Sequence, residues 1–244
     1  MSNKGYCLSP HAYICFSNAY CVFLDLRSDK YICVEQEKMD LLGNCLRGYW
    51  DGNNSAGHSH RSSDSEAEEL AKQLVNRGLL TVAQAGSKPV SPVQIDRPTS
   101  SLLEDLKGRA STYGPLELVR FFRAGFVANR NLKGRTLEDV VEGLARRARG
   151  HQSAGELDMP QVRRLVGAFV RLRSYFPRSY LCLFDSLALL EFLAFYEQFP
   201  TWVFGVNGNP FAAHCWVQHG SVVLNDTIES VAGYTPIMAV GCEG

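Results

Sequence analysis

Residues 84–100 hold three prolines, Pro89, Pro92 and Pro98, among small and polar side chains. Proline lacks a backbone N–H and biases the preceding residue away from helix, so regular structure is not expected to cross this stretch. The chain is therefore expected to divide into residues 1–83, a linker at 84–100, and residues 101–244. With 244 residues, 45% of them hydrophobic, there is enough apolar material for one or two real cores.

Before the linker, residues 12–16, 20–24 and 31–34 are short runs rich in aromatic and β-branched side chains and read as strands. Helical patterns follow at 36–47 and 65–77, the second opening on a capping box, Ser65 with Glu68, and stopping at Gly78. Three strands plus helices in about 80 residues suggest a small α+β, winged-helix-like domain. Beyond the linker, helical patterns cover 115–129, 136–149 and 160–174. Thr136 with Asp139 has the form of an N-cap box, and Pro160 suits a first helical turn. One apolar stripe runs through Leu116, Val119, Phe122 and Phe126, another through Val162, Leu165, Val166, Phe169 and Leu172. Both are expected to be scaffold.

Charge is balanced overall, 25 Lys and Arg against 25 Asp and Glu, but it is unevenly placed. Residues 1–85 carry −2, residues 86–178 carry +8, and residues 179–244, which contain no Lys or Arg, carry −6. The middle arginines are expected to be solvated or to pair with the acidic segment, or to offer a basic face to a partner or acidic peptide. A winged helix raises the question of DNA, but a domain at −2 lacks the basic face that phosphates need, so nucleic-acid binding is not expected. No apolar run approaches the roughly 20 residues of a membrane span, and the N-terminus lacks a secretory signature. A soluble cytoplasmic protein is the expectation. None of the eight cysteines forms a Cys-x-x-Cys pair, so reduced thiols are expected rather than a zinc site. His58 and His60 lie in a polar loop sequence, and no metal is assigned to them.

Three residues carry chemistry. Cys182 opens an apolar run at helical spacing, Leu183 to Leu193, and a thiol in a helix's first turn faces unpaired N–H groups and the positive end of the dipole. Both effects favour thiolate, the nucleophilic form. His214 lies in one expected strand, and Asp226 follows the next, beyond Gly220. A three-residue turn centred on Gly220 would oppose His214 to Asp226, whereas a shorter turn would oppose it to Asn225. Either side chain could orient an imidazole whose other nitrogen meets a thiol. The same residues could instead be a buried cysteine, a satisfied histidine and ordinary turn chemistry.

Taken together, Tyr180 to Leu190, Trp202 to Val206, Pro210 to Gln218 and Leu224 to Asp226 resemble the transglutaminase-like leader peptidase of lasso-peptide biosynthesis. The resemblance covers roughly residues 115–240 and implies an α+β, transglutaminase-like or papain-like cysteine peptidase domain. It implies Cys182 as nucleophile, His214 as general base and acid, and Asp226 as orienter. Asp185 departs from the pattern, since many relatives carry Arg three residues after the nucleophile. An acid there suits the helix dipole but would raise a nearby thiol's pKa. Residues 1–83 are similar, through their strand–strand–strand–helix order, to the peptide-recognition element of ribosomal peptide maturation enzymes. That likeness implies a leader peptide added as a strand along Tyr31, Ile32, Cys33 and Val34, packed against a helix through Leu70, Leu74 and Val75. The bland reading of the helix positions is ordinary core.

The resemblance thus implies a ribosomal precursor peptide as substrate, and as partner a separate ATP-dependent, asparagine-synthetase-like cyclase that closes the exposed amine onto an acidic side chain. It implies no cofactor, and no Gly-x-x-x-x-Gly-Lys phosphate loop occurs in the chain. A thiol acyltransferase and a non-catalytic precursor-binding protein are the alternatives.

Overall fold

A computed structural model describes residues 5–49, 64–82, 86–108, 112–151, 157–177 and 181–241. The expected loop histidines, His58 and His60, and Cys242 lie outside these residues. The fold is mixed α+β and falls into two compact units. One comprises residues 1–94 with 206–212 and 235–238; the other comprises 95–205, 213–234 and 239–244. The boundary at 94/95 lies inside the expected linker, but the chain crosses between the units more than once.

In the first unit, β1 (Tyr6–Leu8) pairs antiparallel with β5 (Leu80–Val82). A separate meander is formed by β2 (Ala12–Ser17), β3 (Tyr20–Asp25) and β4 (Lys30–Glu35), with β4 at one edge. Asn18 and Asp29 take φ of 54° and 51° in its two tight turns, a left-handed conformation that Asn and Asp tolerate better than other side chains. The single helix expected at 36–47 is instead α1 (Gln36–Asp40) followed by one 3₁₀ turn, Gly43–Cys45. Gly43 interrupts the run with the poorest helix former short of proline. After α2 (Asp64–Asn76), Gly78 at φ 75° turns the chain back into β5. Ile14, Phe23, Met39, Leu42, Leu74, Leu79 and Leu80 are among the residues that close the core.

The second unit is built round α7 (Cys182–Ala194). Every residue from Ser186 to Leu193 is buried, which fits a helix apolar on nearly all faces. Packed around it are α4 (Pro115–Gly134), α5 (Leu137–Gly150) and α6 (Met159–Arg173). Phe121 on α4 makes edge contacts with Phe169 on α6 and Phe192 on α7, at centroid distances of 5.4 and 6.5 Å. Thr136 and Asp139 form the expected reciprocal cap on α5. Two of the middle arginines do reach the acidic segment. Arg147 grips the buried Glu191 with two bonds of 2.8 and 2.7 Å, and Arg173 pairs with Asp185.

The remaining elements are β6 (Ser100–Ser101), α3 (Leu102–Leu106), β7 (Thr201–Gly208), β8 (Phe211–His219), β9 (Val222–Val223), α8 (Ile228–Ala232) and β10 (Thr235–Val240). The five strands run in the order β10-β7-β8-β9-β6. The expected linker therefore ends in a short strand, β6, parallel to β9. Among the described residues no helix is long and apolar enough to cross a membrane.

Candidate active site

The structure places Cys182 as the first residue of α7, with Leu181 as its extended N-cap. Asp185 stands one turn further on and turns back, accepting the Leu181 N–H at 2.9 Å. Its other oxygen accepts from the Arg173 guanidinium, which comes from the end of α6 and is only 4% exposed. Burial pushes the Asp185 carboxyl above its ordinary value, Arg173 pulls it down, and the Cys182 charge pushes it up again. The carboxylate beside the thiol is thus matched by a buried cation. That pairing answers the electrostatic problem raised by an acid at this position.

Because the pair is buried, removing one partner costs more than the pair contributes. Arg173→Met should destabilise the protein by about 3–5 kcal/mol in urea unfolding, by leaving Asp185 uncompensated. The double variant with Asp185→Leu should recover most of that loss. Equal stability of the single and double variants would show that the guanidinium is not what Asp185 requires.

His214 comes from β8 and Asp226 from the segment after β9. The turn between these strands is Gly220-Ser221, with Gly220 at φ 51°, and the pairs are Gln218 with Val223 and His219 with Val222. Neither register expected from the sequence, which opposed His214 to Asp226 or to Asn225, is the one formed. The ladder ends at Val223, and the chain then bends. Asn225 turns its amide inward, accepting the Val217 N–H at 2.7 Å and donating to Ser186 Oγ at 3.0 Å. This local replacement of the ladder delivers Asp226 Oδ2 to His214 Nε2 at 2.5 Å. Asp226 is held in turn by the Thr227 N–H at 2.8 Å, and its carbonyl accepts from Ser101 Oγ at 2.5 Å.

The imidazole lies against Trp216, at a centroid distance of 6.1 Å, and Tyr234, at 5.1 Å. Gly205 on β7 makes room for this arrangement. A Cβ there would stand 2.8 Å from the Trp216 ring and 3.0 Å from Tyr234 Cβ. With Nε2 committed to Asp226, Nδ1 remains for the sulfur.

Hydrogen bonds from the Cys215 and His214 side chains, and from the Cys215 backbone N–H, outweigh burial and lower the Cys182 pKa to about 4. Burial pushes His214 down, but its bonds to Asp226 and Cys182 raise it to about 9. Burial likewise opposes ionisation of Asp226, and the bond to His214 holds the carboxyl below its ordinary value. These shifts describe one coupled arrangement of thiolate, imidazolium and carboxylate. Cys182 is an exposed residue, and its thiolate is a ready nucleophile.

Two neighbours had not been singled out in the sequence. Ser186 is wholly buried and donates to the Cys215 carbonyl at 3.2 Å, tying α7 to β8 one turn below the nucleophile. Its signal is the lone hydroxyl of the helical run, four residues after Cys182. Cys215 follows His214 directly, is buried, and has its sulfur 4.0 Å from Ser186 Oγ.

The residues proposed for peptide binding lie in the other unit. On the edge strand β4, Cys33 is exposed, whereas Ile32 and Val34 are partly buried against the core. The Tyr31 ring lies 5.5 Å from that of Phe211, within the same unit. On α2, Leu70 is partly buried, Val75 is exposed, and Leu74 is 2% exposed. Leu74 is therefore core and lines no accessible groove. Among the described residues no group of three or more His, Cys, Asp or Glu is placed to hold a metal ion.

Residues 124–239 match the transglutaminase-like superfamily. No curated protein and no solved structure matches the chain significantly. The matched segment contains α5 to α7, the β8–β9 hairpin and all of Cys182, His214 and Asp226. Residues 124–239 thus form a transglutaminase-like superfamily domain, of a class that includes cysteine peptidases and acyltransferases.

Proposed function

We propose that this protein is a cysteine endopeptidase that binds the leader of a ribosomally made precursor peptide and cuts it from the core during lasso-peptide maturation. The observation that carries the peptidase reading is the polarised Cys182–His214–Asp226 arrangement inside a transglutaminase-like domain. Cys182 thiolate attacks the amide carbonyl, His214 protonates the leaving amine through the nitrogen that faced the sulfur, and a thioester remains. Water deprotonated by His214 then releases the leader as a carboxylate. The backbone N–H of Cys182, in the first turn of α7, is one donor for the tetrahedral oxyanion.

The leader reading rests on the resemblance in the sequence and on the place of β4 at a sheet edge. An edge strand offers alternate N–H and C=O groups to an added strand, and Tyr31, Ile32, Cys33 and Val34 supply them here. Leu70 and the exposed Val75 are the remaining helix positions for the peptide to meet. The winged-helix-like description of this unit belongs to the same reading. Release of the core exposes its N-terminal amine for an ATP-dependent, asparagine-synthetase-like cyclase, the proposed partner.

Incubating the protein with precursor in the presence of hydroxylamine, and weighing the products, distinguishes the alternatives. A leader fragment heavier by one water supports the peptidase. A hydroxamate obtained at the expense of hydrolysis, with other amines also incorporated, would replace it with an acyltransferase. Intact precursor that co-purifies with the protein would leave binding alone.

A further inference from the structure

The carboxylate that orients His214 does not stand on a strand. The β8–β9 ladder ends at Val223, one further backbone bond runs from the Leu224 N–H to the Val217 carbonyl at 2.8 Å, and Asn225 and Asp226 follow in a bend. An orienting group must be held within about 0.5 Å of its productive place, and a displacement of about 1 Å can cost on the order of 10²-fold in rate. A bend has no ladder to hold it that closely. The hold must come from side chains around it.

Two buried hydroxyls supply it. Ser186, wholly buried on α7 one turn after Cys182, accepts from Asn225 Nδ2 at 3.0 Å and donates to the Cys215 carbonyl at 3.2 Å. It therefore joins the helix of the nucleophile to the residue after His214 and to the residue before Asp226. Ser101, 2% exposed at the end of β6, donates to the Asp226 carbonyl at 2.5 Å. The same oxygen caps α3, accepting the N–H groups of Leu103 at 3.1 Å and Glu104 at 3.4 Å. A hydroxyl has one proton and two lone pairs, so a serine that both donates and accepts has its rotor fixed by its partners. Asn225 is gripped at both ends of its amide, since its oxygen takes the Val217 N–H at 2.7 Å. Asp226 is gripped through its backbone, which leaves its carboxylate for the Thr227 N–H and for His214 Nε2.

We propose that Ser101 and Ser186 are positioning residues for the reaction: both act through Asp226, by fixing the Asn225–Asp226 bend that brings its carboxylate to His214. Both roles presuppose that Cys182, His214 and Asp226 are the reacting groups of a peptidase. Neither hydroxyl donates to a reacting atom; each holds the chain that carries one. Ser101 stands ahead of the matched segment 124–239, so the site draws on a residue that the superfamily match does not cover. Loss of either hydroxyl lets the bend relax, lengthens the imidazole–carboxylate contact, and weakens the bond that keeps His214 protonated. A serine that merely stabilised the fold would leave that protonation alone.

The test uses the full chain and the variants Ser101→Gly, Ser101→Thr and Ser186→Ala, each alone and combined with Asp226→Asn. Glycine keeps most of a helix cap's stability and threonine keeps the hydroxyl as well, so the Ser101 pair isolates the bond to Asp226. Two quantities are read: kcat and KM for precursor cleavage, and the titration midpoint of His214 by NMR in the free protein. Ser101→Gly and Ser186→Ala should each lower kcat by roughly 10–100-fold with KM within about twofold, while Ser101→Thr stays within about threefold of wild type. The His214 midpoint should fall from about 9 toward 6.5 in the first two and hold in Ser101→Thr. Adding Asp226→Asn to Ser101→Gly or Ser186→Ala should cost at least about tenfold less than adding it to wild type, because one contact is lost only once. Active wild type with kcat and midpoint unmoved in Ser101→Gly, or losses that multiply with Asp226→Asn, would leave the serines a structural part only, with the peptidase standing. Precursor left intact by wild type, together with a midpoint that falls in Ser101→Gly, would sink the peptidase and keep the positioning of Asp226. The Ser101 series decides the matter even where Ser186→Ala does not fold.

Discussion

Replacing Cys182 with Ala is expected to lower cleavage of the precursor by on the order of 10⁴-fold or more while leaving its affinity within about twofold. The sulfur is the one group at this site that can form the acyl intermediate. His214 and Asp226 remain in the variant, but an imidazole–carboxylate pair without a nucleophile must activate water directly, and the covalent route is lost. Affinity should survive because the proposed leader contacts lie on β4, in the other compact unit. Cys182 is exposed, so the substitution opens no core cavity and the folded protein should persist. The measurement is single-turnover product mass under saturating enzyme, with binding followed separately by fluorescence anisotropy of a labelled leader. Cleavage within tenfold of wild type would remove Cys182 from the nucleophile's role. Loss of both binding and cleavage would mean that leader recognition reaches the thiol itself.

How far the sequence led toward this site depended on whether each feature was local. The start of α7 at Cys182 was legible because an apolar run at helical spacing is a short-range signal. The helices at Pro115, Leu137 and Met159 were legible for the same reason, through prolines and caps at their first turns. The contact of His214 with Asp226 was also anticipated, but by a register that does not form. Whether Ser221 belongs to the turn or to the strand shifts every opposed pair, and nothing in Gly220-Ser221 settles it. The contact arises instead because Asn225 gives its side chain to Val217 and Ser186 and so ends the ladder early. That is a tertiary event, fixed by a serine on a helix 39 residues away in sequence. The same holds for Asp185. As a sequence feature it threatened the thiolate; its neutralisation depends on Arg173 arriving buried from α6. At the other end of the chain, Leu74 shows the reverse error, since an amphipathic pattern cannot say whether an apolar position faces a core or a groove, and here it faces the core.

The pH dependence of this site should separate it sharply from an ordinary thiol. Alkylation of Cys182 by iodoacetamide is expected to be half-maximal near pH 4 and nearly flat from there toward pH 9, because the folded pKa is depressed to about 4 from an ordinary value of 9.0. Thiolate is present above the lower value and is lost as pH falls through it. His214 runs the other way: its pKa is raised from 6.5 to about 9, so imidazolium is present below that value and lost as pH rises through it. Cleavage needs thiolate to attack and a proton to give the leaving amine, which predicts a bell whose limbs, near 4 and near 9, belong to the coupled pair rather than to either residue. Asp226→Asn is the discriminating variant. Without the carboxylate, the bond that raises His214 is weakened and the imidazolium that stabilises the thiolate is lost over part of the range. The basic limb should fall toward 6.5, the acid limb should rise, and the rate at neutral pH should drop by on the order of 10²–10⁴-fold. An alkylation midpoint near 9 in the wild-type protein would show an unactivated cysteine, and limbs unmoved in Asp226→Asn would show that the 2.5 Å contact does not govern the pair.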